Sequence, residues 1–230
     1  MHKTLLKNLV NKGEFMLFYI GQYTGIDFII FTLAYVLVIV LSLSLHEFAH
    51  AFVAYKCGDT TPKMQGRVSL NPFKHIDPIG IICCAFFGFG WARPVPINPG
   101  NFRNVKKGTA WTSAAGVILN LILSFIGCGL YSFVSMFTIS NYLLAFIQLF
   151  FYFMFFVNLC LAIFNLLPIY PLDGFKLVEV FTKYKNPYIE FMYKYGNLVL
   201  ILFVVFCDEI LIKLMQLLSV PITWFWGLIF

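Results

Sequence analysis

Charged side chains are scarce: they make up 11% of the 230 residues, where a typical soluble domain carries about 25%. A chain this poor in charge cannot clothe a water-facing globule, and it cannot be a solvated disordered segment either. Sixteen basic residues against ten acidic ones give a net charge of +6, but the basic side chains flank apolar runs instead of forming a stripe. Nucleic acid is therefore not expected as a partner; these charges read as topology signals. Cysteine pairing is missing as well. Cys57, Cys83, Cys84, Cys128, Cys160 and Cys207 contain no C-x-x-C and sit in apolar context, so they read as small buried residues, and the adjacent Cys83-Cys84 is a poor pair for a structural disulfide. Glycine and proline are absent from residues 27–56, so nothing there breaks a helix of about 45 Å. The first 25 residues carry Lys3, Lys7 and Lys12, but their apolar part is short and broken at Gly13-Glu14 and Gly21-Gln22. No cleaved signal peptide is expected, and the stretch reads as an interfacial or irregular lead-in.

What is abundant is hydrocarbon. Hydrophobic residues make up 60% of the chain and aromatics 19%, and a membrane-spanning helix needs about 20 apolar residues in a row. Residues 27–56, 109–137, 142–167 and the region 197–230 meet that length. The expected fold is an all-α polytopic membrane protein, a bundle of four to five transmembrane helices forming one domain over residues 1–230. Only residues 138–141 separate the second and third runs, which makes them an antiparallel hairpin. Between residues 58 and 107 the character changes. Residues 66–72 and 92–99 are β-branched and punctuated by proline, and read as extended, β-like segments or loops. The 13 apolar residues 79–91 between them form a half-span or re-entrant piece, with a short tilted helix as the alternative. Near the end, Glu209 and Lys213 stand four apart and can pair on one helical face, and Trp224 and Trp226 read as interface anchors.

One pattern in this hydrocarbon is chemical. His46-Glu47-Phe48-Ala49-His50 lies toward the end of the first run, and residues four apart on a helix sit one above the other. His46 and His50 can thus offer imidazole nitrogens to one metal ion, with Glu47 beside them to take a proton from an attacking water. Two histidines that merely share a helix are the plain alternative. The chain has only four His and five Glu, so chance produces the pattern in roughly one such chain in several hundred, and ionisable residues in hydrocarbon are costly to keep without a function.

A catalytic zinc usually takes three protein ligands, so the histidines need a partner. His2, His75, Glu179 and Glu190 are weaker candidates than Asp173, which follows a span and two prolines and precedes Gly174, where the chain can turn tightly into a helix. Capping that helix is the plain role for Asp173. Its placement at the level of the histidines favours a ligand. Orientation follows from the basic residues. Lys56, Lys63, Arg67, Lys74, Arg93, Arg103, Lys106 and Lys107 lie in or beside the first long connection and Lys176, Lys183, Lys185 and Lys194 in the second, whereas residues 138–141 carry none. If residues 79–91 do not cross, the two connections share the cytoplasmic side, and so does the metal site.

These motifs together resemble the site-2 protease family of intramembrane zinc metalloproteases. The resemblance rests on His46 to His50, on Gly66-Arg67-Val68-Ser69-Leu70-Asn71-Pro72, Asp77-Pro78-Ile79-Gly80 and Gly90-Trp91-Ala92-Arg93-Pro94-Val95-Pro96, and on Asn165-Leu166-Leu167-Pro168 running into Pro171-Leu172-Asp173-Gly174. Ala115-Gly116-Val117-Ile118-Leu119-Asn120 is similar to a further motif, with Val117 where a proline is common. The family implies one zinc held by His46, His50 and Asp173, Glu47 as general base, and cleavage of membrane-protein substrates within the bilayer of the cell membrane. A compact form without PDZ or CBS domains is expected, with regulation from a membrane partner or from substrate access. A helical substrate must unwind to be cut. Its freed backbone then needs partners, and the extended segments, Val68 and Ser69 among them, are candidates for a substrate strand, with Asn165 or Asn120 as oxyanion donor. The competing readings are a metal transporter or binding scaffold with the same ligands and no proteolysis, which lacks the internal repeat expected of a transporter, and a peptidase with Glu179 as third ligand.

Overall fold

The computed structural model of the protein describes residues 25–87, 90–138, 141–182 and 185–230. Nearly all of the basic lead-in expected over residues 1–25 lies outside them. With no Gly or Pro to interrupt it, the first apolar run forms α1, Ile26–Cys57, whose 32 residues extend about 48 Å. It ends at Gly58, whose φ of 118° is a left-handed conformation that glycine adopts without strain. After it come α2 (Thr61–Met64), α3 (Pro78–Phe87), α4 (Val105–Val134), α5 (Tyr142–Leu166), α6 (Asp173–Phe181), α7 (Pro187–Phe206) and α8 (Asp208–Gly227). Asn104, Asn141 and Asn186 open α4, α5 and α7 by accepting the backbone N–H of Lys107, Leu144 and Tyr188. Five helices, α1, α4, α5, α7 and α8, are long and apolar enough to cross a membrane. The chain is an all-helical, multi-pass membrane protein. The last apolar region, expected over 197–230, is two helices, parted at Cys207 between α7 and α8.

Three spans make the centre. Arg103 N–H donates to Cys57 O, so the chain enters α4 where α1 stops and the two run antiparallel. α5 returns alongside α1 in the same direction, with Phe31 packed edge-to-face on Phe153 at 5.0 Å and Asn158 Nδ2 donating to Ser42 Oγ further along. Close approach depends on small residues: a Cβ on Gly127 of α4 would lie 2.6 Å from the Phe155 nitrogen of α5. α8 lies against this pair. Its Trp226 ring covers Gly129 and its indole N–H donates to Phe125 O at 2.9 Å, so Trp226 is a packing anchor in place of the interface anchor expected, while Trp224 is exposed. α7 covers Ile169 and Phe175 with Met192 and Leu200.

The first connection folds back on itself. α3 has 10 residues, about 15 Å, too short to span a bilayer of about 30 Å. After it the chain returns to its starting level: a Cβ on Gly80 would sit 1.9 Å from Trp91 O, and Arg93 N–H donates to His75 O at 2.8 Å. No strand forms among the described residues. Residues 66–71, expected to be extended, turn at Gly66 (φ 66°) and bend at Val68 and Ser69, because the His75 ring bonds Ser69 O from six residues ahead and Asn71 accepts Phe73 N–H. Residues 92–98 have no regular structure, since prolines remove ladder donors. Asp59, wholly buried, ties their end down by accepting from Asn98 N–H, Thr61 N–H and Asn101 Nδ2.

Candidate metal centre

α1 carries His46 and His50 on one face, both buried, and the face they present is completed from α6. Asp173 is the first residue of α6, and Gly174 behind it is pressed onto the end of α5, where a Cβ would be 2.2 Å from Leu166 O. That tight turn brings the Asp173 carboxylate onto both rings. Its Oδ2 lies 3.3 Å from His46 Nε2 and 2.9 Å from His50 Nε2, and the two nitrogens are 3.0 Å apart. Among the described residues these three form the group of potential ligands able to hold a metal ion.

The surroundings of the rings decide what those atoms offer. His50 Nδ1–H donates to Thr112 O at 2.7 Å, so in the neutral ring Nε2 carries the lone pair. His46 Nδ1 faces the Asn120 side-chain amide at 3.1 Å, and the Asn120 Oδ1 is buried without a partner. Turning that amide over, a change its shape does not resist, lets Oδ1 accept Nδ1–H and frees the His46 Nε2 lone pair too. Two nitrogen lone pairs and a carboxylate oxygen then converge, and they repel one another unless a cation sits among them. Tetrahedral zinc with bonds of about 2.0 Å spaces its ligands about 3.3 Å apart, so this donor set fits it closely. Gly116 makes the arrangement possible: a Cβ there would lie 2.4 Å from His46 Cε1 and 2.6 Å from His50 Nε2. Lys176 Nζ holds the other oxygen of Asp173 at 3.1 Å.

Other residues singled out from the sequence fall in different places. Glu47 is half-buried beside His46 and accepts the Val95 backbone N–H on Oε2 at 3.0 Å. Asn120 is wholly buried against the His46 ring, whereas Asn165 is half-buried and donates to Leu161 O of its own helix. Val68 and Ser69 are half-buried, and their backbone N–H groups make no hydrogen bond among the described residues. Glu179 accepts from Tyr193 Oη on α7, away from the histidines, and Glu209 pairs with Lys213 at 3.9 Å. His75, which the sequence placed beside a surface-like stretch, is 1% exposed. Burial pushes its imidazole below the ordinary value against the pull of the Ser69 hydrogen bond, so it is a neutral donor from Nε2. Thr112, Lys176 and Val95 were missed, because a backbone carbonyl, a surface lysine and a backbone N–H carry no motif. Gly116 had a signal: it stands four before Asn120, one turn apart on the same face.

A membrane bundle with a buried His-His-Asp group and a carboxylate alongside has the makings of a membrane metalloprotease. The description "Peptidase family M50" matches residues 130–207, which include Asn165 and Asp173. Over 147 residues, 63% of this chain and 67% of the relative, the sequence is 45% identical to "Putative zinc metalloprotease YwhC" of Bacillus subtilis. It is 30% identical over 95 residues, 39% of this chain and 36% of the relative, to "Putative zinc metalloprotease Rip2" of Mycolicibacterium smegmatis. No solved structure matches the chain. The chain belongs to peptidase family M50, the site-2 protease family, and is a metalloprotease.

Proposed function

We propose that the chain is an intramembrane endopeptidase that binds one zinc through His46, His50 and Asp173 and hydrolyses peptide bonds in or near transmembrane segments of membrane-protein substrates. The observation that carries this is the convergence of His46 Nε2, His50 Nε2 and Asp173 Oδ2 within 3.3 Å of one another, inside a bundle of membrane-spanning helices and next to Glu47. Zinc held there would polarise the scissile carbonyl and acidify a water. Glu47, beside that position, would serve as the proton acceptor for an attacking water and as the donor to the leaving amine. Thr112 O and Asn120 keep the imidazoles in the ligating tautomer, and Lys176 holds the spare oxygen of Asp173. Because Asn120 is engaged with His46, Asn165 is the better oxyanion donor, on leaving Leu161 O.

A substrate helix must unwind before its carbonyl can be attacked, and its freed groups need partners in a low-dielectric site. The unbonded N–H groups of Val68 and Ser69 favour this part of the first connection as the donor edge. The basic residues of both connections favour a site on the cytoplasmic side of the cell membrane. Substrates, lipid and any regulatory partner all meet the protein within the bilayer.

The test is zinc content and cleavage of a membrane-spanning substrate by the full chain in nanodiscs. One zinc per chain is expected, falling in variants of His46, His50 or Asp173, while Glu47→Gln keeps the metal and loses turnover by several orders of magnitude. Full occupancy in Asp173→Ala removes Asp173 from the site. Zinc binding with no proteolysis, and no change in membrane-protein abundance between cells with native and Glu47→Gln chains, favours the transport or scaffold alternative.

A further inference from the structure

Few backbone donors remain between residues 92 and 98, and those near the site have definite destinations. Pro94 and Pro96 have no N–H. Arg93 N–H donates to His75 O at 2.8 Å, and Val95 N–H, the single donor of Pro94-Val95-Pro96, donates to Glu47 Oε2 at 3.0 Å. This stretch is held from behind by two buried side chains. Arg67, 6% exposed, donates from Nη2 to Arg93 O, and His75 donates from its ring to Ser69 O while its own carbonyl takes Arg93 N–H. Burying a guanidinium and an imidazole is costly, and both remain incompletely bonded, with Arg67 Nε and His75 Nδ1 lacking partners. Neither bonds His46, His50 or Asp173. What the two hold in place is the 93–95 backbone.

We propose that the Val95 backbone N–H positions Glu47, with Arg67 and His75 as the clasp that aims it; this rests on the reading of Glu47 as the base. A glutamate on a helix has three rotatable bonds and explores several rotamers, of which few bring it to the reacting water. A charge-assisted hydrogen bond to one oxygen selects among them and leaves the other oxygen to carry the proton. The flanking prolines serve the same end. They supply no competing donor and keep the stretch out of a ladder that would claim the Val95 N–H.

Val95→Pro removes the N–H without touching a ligand, and Val95→Ala keeps it while trimming the side chain. In nanodiscs, with a membrane-spanning peptide that the native chain cleaves, Val95→Pro is expected to lower kcat by about tenfold or more with KM and bound zinc unchanged. Val95→Ala should restore kcat to within a few-fold of native, and Arg67→Met should lower kcat in the same selective way. Native kcat in zinc-loaded Val95→Pro, or an equal fall in Val95→Ala, overturns the proposal. Should Val95→Pro shed its zinc, Arg67→Met decides: native kcat there overturns the proposal, a selective fall with an unmoved pH profile supports it, and a fall accompanied by a shifted pH profile assigns the loss to the charge Arg67 sets near Glu47 and overturns the clasp. An inactive Glu47→Gln beside a fully active Val95→Pro rejects the positioning role alone, whereas an active Glu47→Gln rejects the base and with it anything that positions it.

Discussion

At the scale of single residues, the site is held by atoms that are not themselves ligands. Gly116 and Asn120 lie one turn apart on α4, the first making room for the imidazoles and the second bonding one of them. A methyl group at 116 has no space, so Gly116→Ala should displace both rings and weaken zinc binding by more than tenfold in competition with a chelator. Asn120→Ala should cost about 10- to 100-fold by the same measurement, and Asn120→Asp, which keeps an acceptor for Nδ1–H, should recover most of it. Native affinity in Asn120→Ala would remove the amide from the metal centre. Of the candidate site residues, the sequence displays the candidate ligands and the proposed base most plainly. His46, Glu47 and His50 are legible because helical periodicity is local, and Asp173 because proline and glycine punctuation makes a tight turn legible.

At the scale of elements, the first connection is organised by buried polar groups. Asp59 takes three donors from residues 61, 98 and 101, and burial opposes its ionisation while those hydrogen bonds outweigh burial and hold its carboxyl below the ordinary value. Such a group contributes stability that is present above the unfolded carboxyl's pKa of about 3.9 and lost as pH falls beneath it. Protection of residues 58–104 from protease should therefore decline on acidification below about pH 4. Asp59→Ala should weaken it already at neutral pH, by about 1–3 kcal/mol for stranded donors. Equal cleavage of the variant and native chains at pH 7 would contradict this role. The sequence suggested extended segments or loops here, and β-branched residues between prolines do favour extension in isolation. Residues 66–71 take the loop alternative, where side-chain hydrogen bonds of His75 and Asn71 bend the chain, and nothing in a local pattern announces them.

For the whole molecule, the matter is which end faces which compartment. Both basic connections lie at the end of the bundle that carries His50 and Asp173, since Arg93 N–H donates to His75 O and Trp91 lies against Gly80, which brings the chain after α3 back to where α3 began. In a background without the six native cysteines, a membrane-impermeant thiol reagent added to intact cells should label a cysteine at 138 and spare one at 106. The reverse pattern would turn the protein over and put the metal centre toward the exterior.

Composition and periodicity alone determined that the chain crosses a membrane several times, its first three spans to within a few residues, and the candidate ligands, since each depends on hydrophobicity, helical spacing or a turn that neighbouring residues dictate; the division of the last apolar region into α7 and α8 was not among them. Tertiary structure decided the rest. The contact of Asn120 with His46, the docking of Trp226 on Gly129, and the Val95 N–H on Glu47 each join residues from 48 to 97 positions apart, and in every case the partner is a backbone atom, a missing side chain or an amide end, whose pairing neither hydropathy nor helical spacing announces.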